Sequence, residues 1–140
     1  MSNLVAVYGS LLSGLHNHPL IKHCRMVGKS TIRGKMYSLG GFPGLKLASN
    51  LDVDNRDYIV EVYEVDDATL GRLDALEGHP NFYRRFHHPF VIGEQTAGGE
   101  QATRTVYAWV YEWQGNAAAR NPIVTDESWR SHYHRRYDVT

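Results

Sequence analysis

Apolar residues in this chain of 140 residues occur in short runs that turn residues separate. Residues 4–7 form a continuous apolar run, which is typical of a buried strand. Residues 58–65 are β-branched or aromatic with acidic residues between them, and they predict the clearest strand of the chain. Further strands are predicted at residues 27–39, 45–47, 83–92 and 103–113.

One main helix is predicted directly after the strand at residues 58–65. Asp66 or Asp67 can cap its first turn, and Gly78 ends it. Four smaller features are predicted: a bulge or bend at Gly28 and Gly34, a loop passing into a short helix at residues 13–23, a hairpin connection at residues 93–101, and a short helix at residues 127–133 in a polar tail. Some six or seven strands against one main helix predict an α+β fold, a small, mostly antiparallel β-barrel with a short second helix. We expect a single domain over residues 1–140.

The composition is that of an ordinary globular protein, with 42% hydrophobic and 21% charged residues. The formal net charge is zero, which removes the main electrostatic argument for nucleic acid or an anionic membrane as a partner. Cys24 is the only cysteine, and we interpret it as a small buried thiol of a reduced protein. No apolar run approaches the roughly 20 residues of a membrane span. We therefore expect a cytoplasmic monomer or homodimer.

The predicted helix places a carboxylate on its apolar side. At about 100° per residue, Leu70, Leu73 and Glu77 fall within roughly 60° of one another, whereas Arg72 points away. Burial, the negative end of the helix and the neighbouring Asp74 are each expected to raise the pKa of Glu77. A carboxyl group with a raised pKa suits a general base at neutral pH. The helix alone leaves open a structural ion pair of Glu77 with one of the arginines at positions 84 and 85.

The segment after the first strand, residues 8–14, contains glycine and serine in a turn (Tyr-Gly-Ser-Leu-Leu-Ser-Gly). Gly9 is expected to take a positive φ there, and successive N–H groups in such a turn bind a carboxylate, a phosphate or an oxyanion. Ser10 and Ser13 are expected to add hydroxyl donors, and Tyr8 a wall or a phenol. The segment is neither a P-loop nor a dinucleotide-binding fingerprint.

Short segments around this loop and this helix follow one another in a recognisable order. They are residues 5–11 (VAVYGSL), 17–20 (NHPL), 34–37 (GKMY), 39–44 (LGGFPG), 62–66 (VYEVD), 73–78 (LDALEG), 83–85 (YRR), 108–111 (AWVY) and 127–130 (ESWR). Over most of the chain they resemble the gamma-glutamylcyclotransferase-like family, which includes gamma-glutamylamine cyclotransferases and AIG2-like proteins. The loop and the glutamate block, in this order, are a fairly specific pair.

The resemblance implies an enzyme that cyclises the γ-glutamyl group of a small γ-glutamyl compound to 5-oxoproline and releases an amine. It implies that Glu77 is the acid–base residue and that no metal or other cofactor is required. It also implies that the substrate is a γ-glutamyl amino acid, a γ-glutamyl amine or a γ-glutamylated biosynthetic intermediate. The residues implied to bind substrate are Tyr8, Gly9, Ser10 and Leu11.

Some family members use a further tyrosine in a Pro-Ser-Pro-x-Tyr segment after the last strand. This chain has Asn-Pro-Ile at residues 121–123 and no matching tyrosine there. Tyr83 and Tyr111 are the candidates to replace it.

Three alternatives are weighed against this hypothesis. Ser10 could be a nucleophile with a histidine base, although no Gly-x-Ser-x-Gly elbow is present. Three histidine pairs raise the question of a zinc site, which needs three or four convergent ligands, but their positions favour solvated side chains. These pairs are His16/His18, His87/His88 and, in the polar tail, His132/His134. A non-catalytic module of the same fold would bind a small carboxylate or amine without needing Glu77 as an acid.

Overall fold

The structure is a computed structural model that describes residues 2–49, 54–95, 97–118 and 120–137. Its six strands are β1 (Ser2–Val7), β2 (Arg25–Ser38), β3 (Pro43–Leu47), β4 (Arg56–Asp66), β5 (Tyr83–Gln95) and β6 (Gln101–Trp113). Its two α-helices are α1 (Asp67–Glu77) and α2 (Trp129–Tyr137), and a short 3-10 helix spans His18–Leu20.

The strands form one sheet in the order β3-β2-β4-β1-β6-β5. All neighbours are antiparallel except β1 and β6, which are parallel. The sheet curls on itself and brings strands that are not neighbours in this order close together. The Ser30 hydroxyl in β2 donates to the carbonyl of Val91 in β5 at 2.7 Å. Likewise the N–H of Leu47 in β3 donates to the Glu112 carboxylate in β6 at 2.8 Å. The α+β prediction is confirmed, in the form of a mixed sheet curled into a half-barrel.

Local signals in the sequence account for the limits of α1. The Asp66 carboxylate accepts from the N–H of Thr69 at 2.7 Å and caps the first turn. Gly78 has a φ of 63° and closes the helix in the left-handed conformation that glycine adopts without strain. The predicted bulge is also confirmed, since the register of β2 against β4 shifts between Met26 and Gly28.

The hairpin between β5 and β6 is tighter than the sequence indicates. Residues 93–101 were expected to form the connection, but Gly93 pairs with Thr103 and Gln95 pairs with Gln101. The ladder therefore continues almost to the turn, because polar and glycine residues are tolerated at the end of a two-stranded arm.

The predicted second helix is confirmed, but the carboxy-terminal segment is not wholly solvated, and the prediction that His132 is a solvated side chain is wrong. Trp129 and His132 in α2 are both buried, and their rings stack at 4.9 Å. The helix begins at residue 129 after Ser128, whose hydroxyl accepts from the N–H of Ser131 at 3.1 Å. One tryptophan carries enough apolar surface to dock a short polar helix against the sheet.

Candidate active site

A cavity of about 540 Å³ lies beside the carboxyl end of β1, a volume typical of small-molecule sites. Its wall combines the loop after β1, the turn before β3, the end of α1, the segment that leads into β5, and one residue of β6. The lining residues are 6–11, 16–17, 41–43, 75–78, 82–83 and 111. The cavity thus brings together Glu77, the predicted loop and all three predicted tyrosines.

The loop after β1 is held by backbone contacts that leave its first N–H groups available. The carbonyl of Gly9 accepts from Leu12, and the carbonyl of Ser10 accepts from Asn17, each at 3.0 Å. The side-chain amide of Asn17 also donates to the Ser10 hydroxyl at 2.8 Å. Among the described residues, no acceptor is found for the N–H groups of Gly9, Ser10 and Leu11. Three successive donors therefore lie at the cavity without a partner in the described part of the chain.

Gly9 is required for a different reason from the one expected. Its φ is not positive, and the only described glycines in the left-handed region are at positions 14, 40, 78 and 99. A Cβ atom on Gly9 would instead lie 3.0 Å from Cγ of Pro43 in the opposite wall. The glycine permits the loop and the turn before β3 to approach each other closely.

Ser13 does not take part in the cavity, which corrects the prediction that it adds a donor there. Its N–H and its hydroxyl both donate to the Glu61 carboxylate, at 2.8 and 2.9 Å. The same carboxylate accepts from Arg130 at 2.7 Å and from the hydroxyl of Tyr63 at 3.0 Å. Glu61 is fully buried, and burial alone would raise its pKa, but these donors outweigh burial and lower the pKa. The network anchors the far end of the loop.

Glu77 lies where the helical pattern predicts. Leu70 and Leu73 are buried on the same side of α1, whereas Arg72 is exposed. Burial raises the pKa of Glu77 to about 7. Within the described part of the chain, its carboxyl group has no hydrogen bond and no ion pair. A carboxyl group in this state can both accept and return a proton at neutral pH.

The alternative of a structural ion pair between Glu77 and an arginine is wrong, because Arg85 pairs with Asp74 instead. Arg85 donates to both oxygens of the Asp74 carboxylate, at 2.8 and 3.1 Å, and the Tyr111 hydroxyl donates at 2.7 Å. Burial would raise the pKa of Asp74, but these donors outweigh it, so the pKa is lowered. Because the positive charge of Arg85 neutralises the Asp74 carboxylate, Asp74 does not raise the pKa of Glu77. Burial is the cause of that raised pKa.

The three tyrosines line the cavity with hydroxyl groups that already have protein acceptors. The hydroxyl of Tyr8 donates to the carbonyl of Tyr111 at 2.6 Å, and that of Tyr83 donates to the carbonyl of Pro43. Burial is the main cause that raises the pKa of all three, and the charge of Glu77 makes a smaller contribution in the same direction. They are therefore neutral at physiological pH and present rings, rather than free phenol protons, to the cavity.

The other chemical alternatives find no support in the geometry. The Ser10 hydroxyl is hydrogen-bonded to Asn17 and not to a histidine. His16 lines the cavity, while Nδ1 of His18 contacts the carbonyl of Leu11 at 2.9 Å. In the described ranges, no group of three or more His, Cys, Asp or Glu side chains is placed to hold a metal ion. No helix in these ranges is long and apolar enough to cross a membrane.

Comparison with solved structures defines the fold class. An AIG2-like protein from Mus musculus superimposes with a TM-score of 0.67 at 24% sequence identity, covering 91% of this chain and 87% of the mouse chain. At that identity the similarity establishes the fold.

Residues 5–131 match the family model described as "Gamma-glutamyl cyclotransferase, AIG2-like", and the chain belongs to this family. It is 36% identical over 111 residues to a Methanocaldococcus jannaschii protein named "Putative gamma-glutamylcyclotransferase", covering 76% of this chain and 81% of the relative. It is 39% identical over 79 residues to the Niallia circulans "Gamma-L-glutamyl-butirosin B gamma-glutamyl cyclotransferase", covering 55% and 46%. The protein is thus an enzyme of the gamma-glutamylcyclotransferase type.

Proposed function

We propose that this enzyme converts the γ-glutamyl group of a small γ-glutamyl amide into 5-oxoproline and releases the free amine, with Glu77 as the proton carrier. One observation carries the proposal. The Glu77 carboxyl group lines the cavity, lacks a partner among the described residues and has a pKa of about 7. A largely buried carboxyl group without a partner is costly to the fold and is therefore a candidate for a functional group.

The proposed reaction is intramolecular. The α-amino nitrogen of the substrate forms a bond to its own γ-carbonyl carbon, and the bond from that carbon to the leaving nitrogen breaks. In becoming the lactam N–H, the α-ammonium nitrogen loses two protons. Glu77 accepts one of them and returns it to the departing nitrogen, and the other ends, through solvent, on the released amine as its ammonium. Because nucleophile and electrophile are tethered, correct folding of the substrate can be worth about 7–11 kcal/mol.

The N–H groups of Gly9, Ser10 and Leu11 have a complementary role in this proposal. They hold either the α-carboxylate of the substrate or the oxyanion that develops on the γ-carbonyl. A donor to a developing oxyanion contributes about 3–4 kcal/mol to stabilisation of the transition state. The ring faces of Tyr8, Tyr83 and Tyr111 would then close the apolar wall around the five-membered ring as it forms.

The substrate class has support from one relative. The name of the Niallia circulans protein specifies a γ-glutamyl conjugate, gamma-L-glutamyl-butirosin B. We extend from this to the proposal that the present enzyme acts on a γ-glutamyl amide and requires no cofactor.

The test is to incubate the purified protein with γ-glutamyl amino acids, γ-glutamyl amines and glutathione, and to detect 5-oxoproline by mass spectrometry. We expect turnover that falls by about 10²–10⁴-fold in Glu77→Gln, because general acid–base catalysis is lost. Glu64→Gln is the matched control, since Glu64 lies outside the cavity and pairs with Arg25 at 3.4 Å. A folded Glu77→Gln variant that retained most of the turnover would contradict the role of Glu77. Absence of 5-oxoproline across the whole panel would contradict the proposed reaction.

A further inference from the structure

Three large apolar side chains are exposed at the cavity although such side chains are usually buried. Phe42 in the turn before β3 is 41% exposed, Leu76 in α1 is 43% exposed, and Phe82 in the segment before β5 is 47% exposed. All three line the cavity. A cluster of exposed apolar groups that is continuous with a cavity marks a binding surface. We call Phe42, Leu76 and Phe82 the apolar rim.

The two rings of the apolar rim are held in place before any ligand arrives. Their centroids are 6.1 Å apart at an interplanar angle of 55°, which is within the range of favourable aromatic pairs. Pro43 follows Phe42 in the chain and Tyr83 follows Phe82, and the hydroxyl of Tyr83 donates a hydrogen bond to the carbonyl of Pro43. The Phe82 N–H donates to the carbonyl of Gly78 at 2.9 Å, so its backbone is tied to the end of α1.

Further backbone hydrogen bonds hold the two segments that carry Phe42 and Phe82. The carbonyl of Phe42 accepts from the N–H of Leu39 at 2.9 Å, which closes the turn that carries the ring. The carbonyl of Phe82 accepts from the N–H of Gln114 at 2.9 Å. A ligand group that packs against these rings therefore meets a preformed apolar surface, and it loses little free energy to ordering of the rim.

The charges around the cavity disfavour a carboxylate on the same ligand group. No lysine or arginine is among the described residues that line the cavity, and the only lining side chain that can become positive is the exposed His16. Glu77 is negative when ionised. Under the proposed function, the N–H groups of the loop already serve the γ-glutamyl half of the substrate. A second carboxylate would be desolvated without a fixed cation to receive it.

We propose that the apolar rim is the leaving-group subsite, and that the substrate is a γ-glutamyl amide of an apolar amine, aromatic or branched, that lacks a carboxylate. This inference rests on the proposed function and specifies its substrate class. The γ-glutamyl group occupies the cavity between the loop and Glu77. The body of the departing amine lies against Phe42, Leu76 and Phe82.

The test uses three substrates that differ only in the leaving amine: γ-glutamyl-methylamide, γ-glutamyl-2-phenylethylamide and γ-glutamyl-phenylalanine. The second adds a ring to the amine, and the third adds a carboxylate to the second. We expect kcat/KM for the phenylethylamide to exceed that of each of the other two by about 10-fold or more, as for apolar groups in a matching pocket.

Variants of the apolar rim test whether its residues cause the preference for the phenylethylamide. We expect Phe82→Ala and Phe42→Ala each to lower kcat/KM for the phenylethylamide by about 10-fold, mainly through KM, and to change the methylamide by less than about 2-fold. Tyr107→Ala is the matched control, because Tyr107 is an exposed aromatic residue of β6 outside the cavity. Thermal unfolding of each variant verifies that it is folded.

The outcomes separate this inference from the proposed function. Turnover of all three substrates at similar kcat/KM would overturn the leaving-group subsite while leaving the cyclisation intact. A preference for γ-glutamyl-phenylalanine that disappears in His16→Ala would also overturn it, because a carboxylate would then be recognised. Absence of 5-oxoproline from every substrate, including the methylamide, would refute the proposed reaction itself, and the subsite with it.

Discussion

Arg130 in α2 donates a hydrogen bond of 2.7 Å to the fully buried carboxylate of Glu61 in β4. The same guanidinium group donates to the carbonyl and to the hydroxyl of Ser13, at 3.0 and 2.9 Å. The carboxy-terminal helix therefore reaches the end of the loop that lines the cavity. This contact links the packing of α2 to the geometry of the loop N–H groups, although none of the three residues lines the cavity itself.

The first prediction concerns that link. We expect Arg130→Ala to lower the free energy of unfolding by about 2–4 kcal/mol, because it leaves the Glu61 charge buried without its cationic partner. Chemical denaturation monitored by tryptophan fluorescence measures the loss. Arg33→Ala is the matched control, since Arg33 pairs with Asp57 at 3.3 Å on the surface and such pairs contribute less than about 1 kcal/mol. Equal losses in the two variants would show that the network is not a structural anchor.

The second prediction concerns the pH dependence of activity. Glu77 has to be ionised to accept a proton, and burial raises its pKa to about 7. We therefore expect kcat/KM to rise with pH and to level off above about pH 7 on the acid side of the profile. Initial rates of 5-oxoproline formation across the pH range measure this. An acid limb near 4.5, the ordinary value for a glutamate, would show that the acting group is not the buried Glu77.

The third prediction concerns stability at the same residue. In the unfolded chain Glu77 loses its proton near 4.5, whereas in the folded chain it keeps the proton to about 7. Between these values the folded state binds more protons, so this residue lowers stability as the pH rises. We expect Glu77→Gln to be more stable than the wild type by up to about 3 kcal/mol above pH 7, and the gain to vanish near pH 4.5.

Denaturation curves of the wild type and of Glu77→Gln, recorded near pH 4.5 and above pH 7, test this linkage. Other titrating groups are common to both proteins and cancel in the difference. A difference in stability that does not change with pH would mean that the folded protein does not hold Glu77 in its neutral form.

The fourth prediction tests whether Tyr111 contributes only its ring to the wall of the cavity or also hydrogen-bonds to the substrate through its hydroxyl group. Its hydroxyl donates to Asp74, so Tyr111→Phe should cost about 1 kcal/mol of stability and change KM by less than about 3-fold. Tyr58→Phe is the comparison variant, because its hydroxyl donates to the carbonyl of Val124 at 2.8 Å in the core. A KM that rose more than about 10-fold in Tyr111→Phe alone would show that the hydroxyl contacts the substrate.

Interactions between residues close in the chain are the ones that sequence reasoning predicted well. Asp66 and Gly78 define the ends of α1 because capping depends on groups three or four residues away. The position of Glu77 beside Leu73 follows from the helical repeat. The bulge near Gly28 follows from the absence of a side chain in a strand.

The burial of Glu61 is the largest feature that sequence reasoning missed. In the sequence it is one of several acidic residues in a strand, and two of its donor residues, Ser13 and Arg130, lie 48 residues before it and 69 residues after it. The one available signal was Glu61 itself, an acidic residue within the strongest strand pattern of the chain. The docking of α2 through Trp129 was missed for the same reason, since polar neighbours mask a single apolar anchor.

What the sequence by itself determined is local: the strands, the capped helix, the loop after β1 and the side of α1 on which Glu77 lies. The tertiary structure alone decided the strand order, the parallel contact of β1 with β6, the partners of Glu61, and the pairing of Arg85 with Asp74. It also decided that Phe42 and Phe82 meet at one cavity. The physical reason is that periodicity and capping act within a few residues, whereas burial and charge pairing depend on distant segments that only the curled sheet brings together.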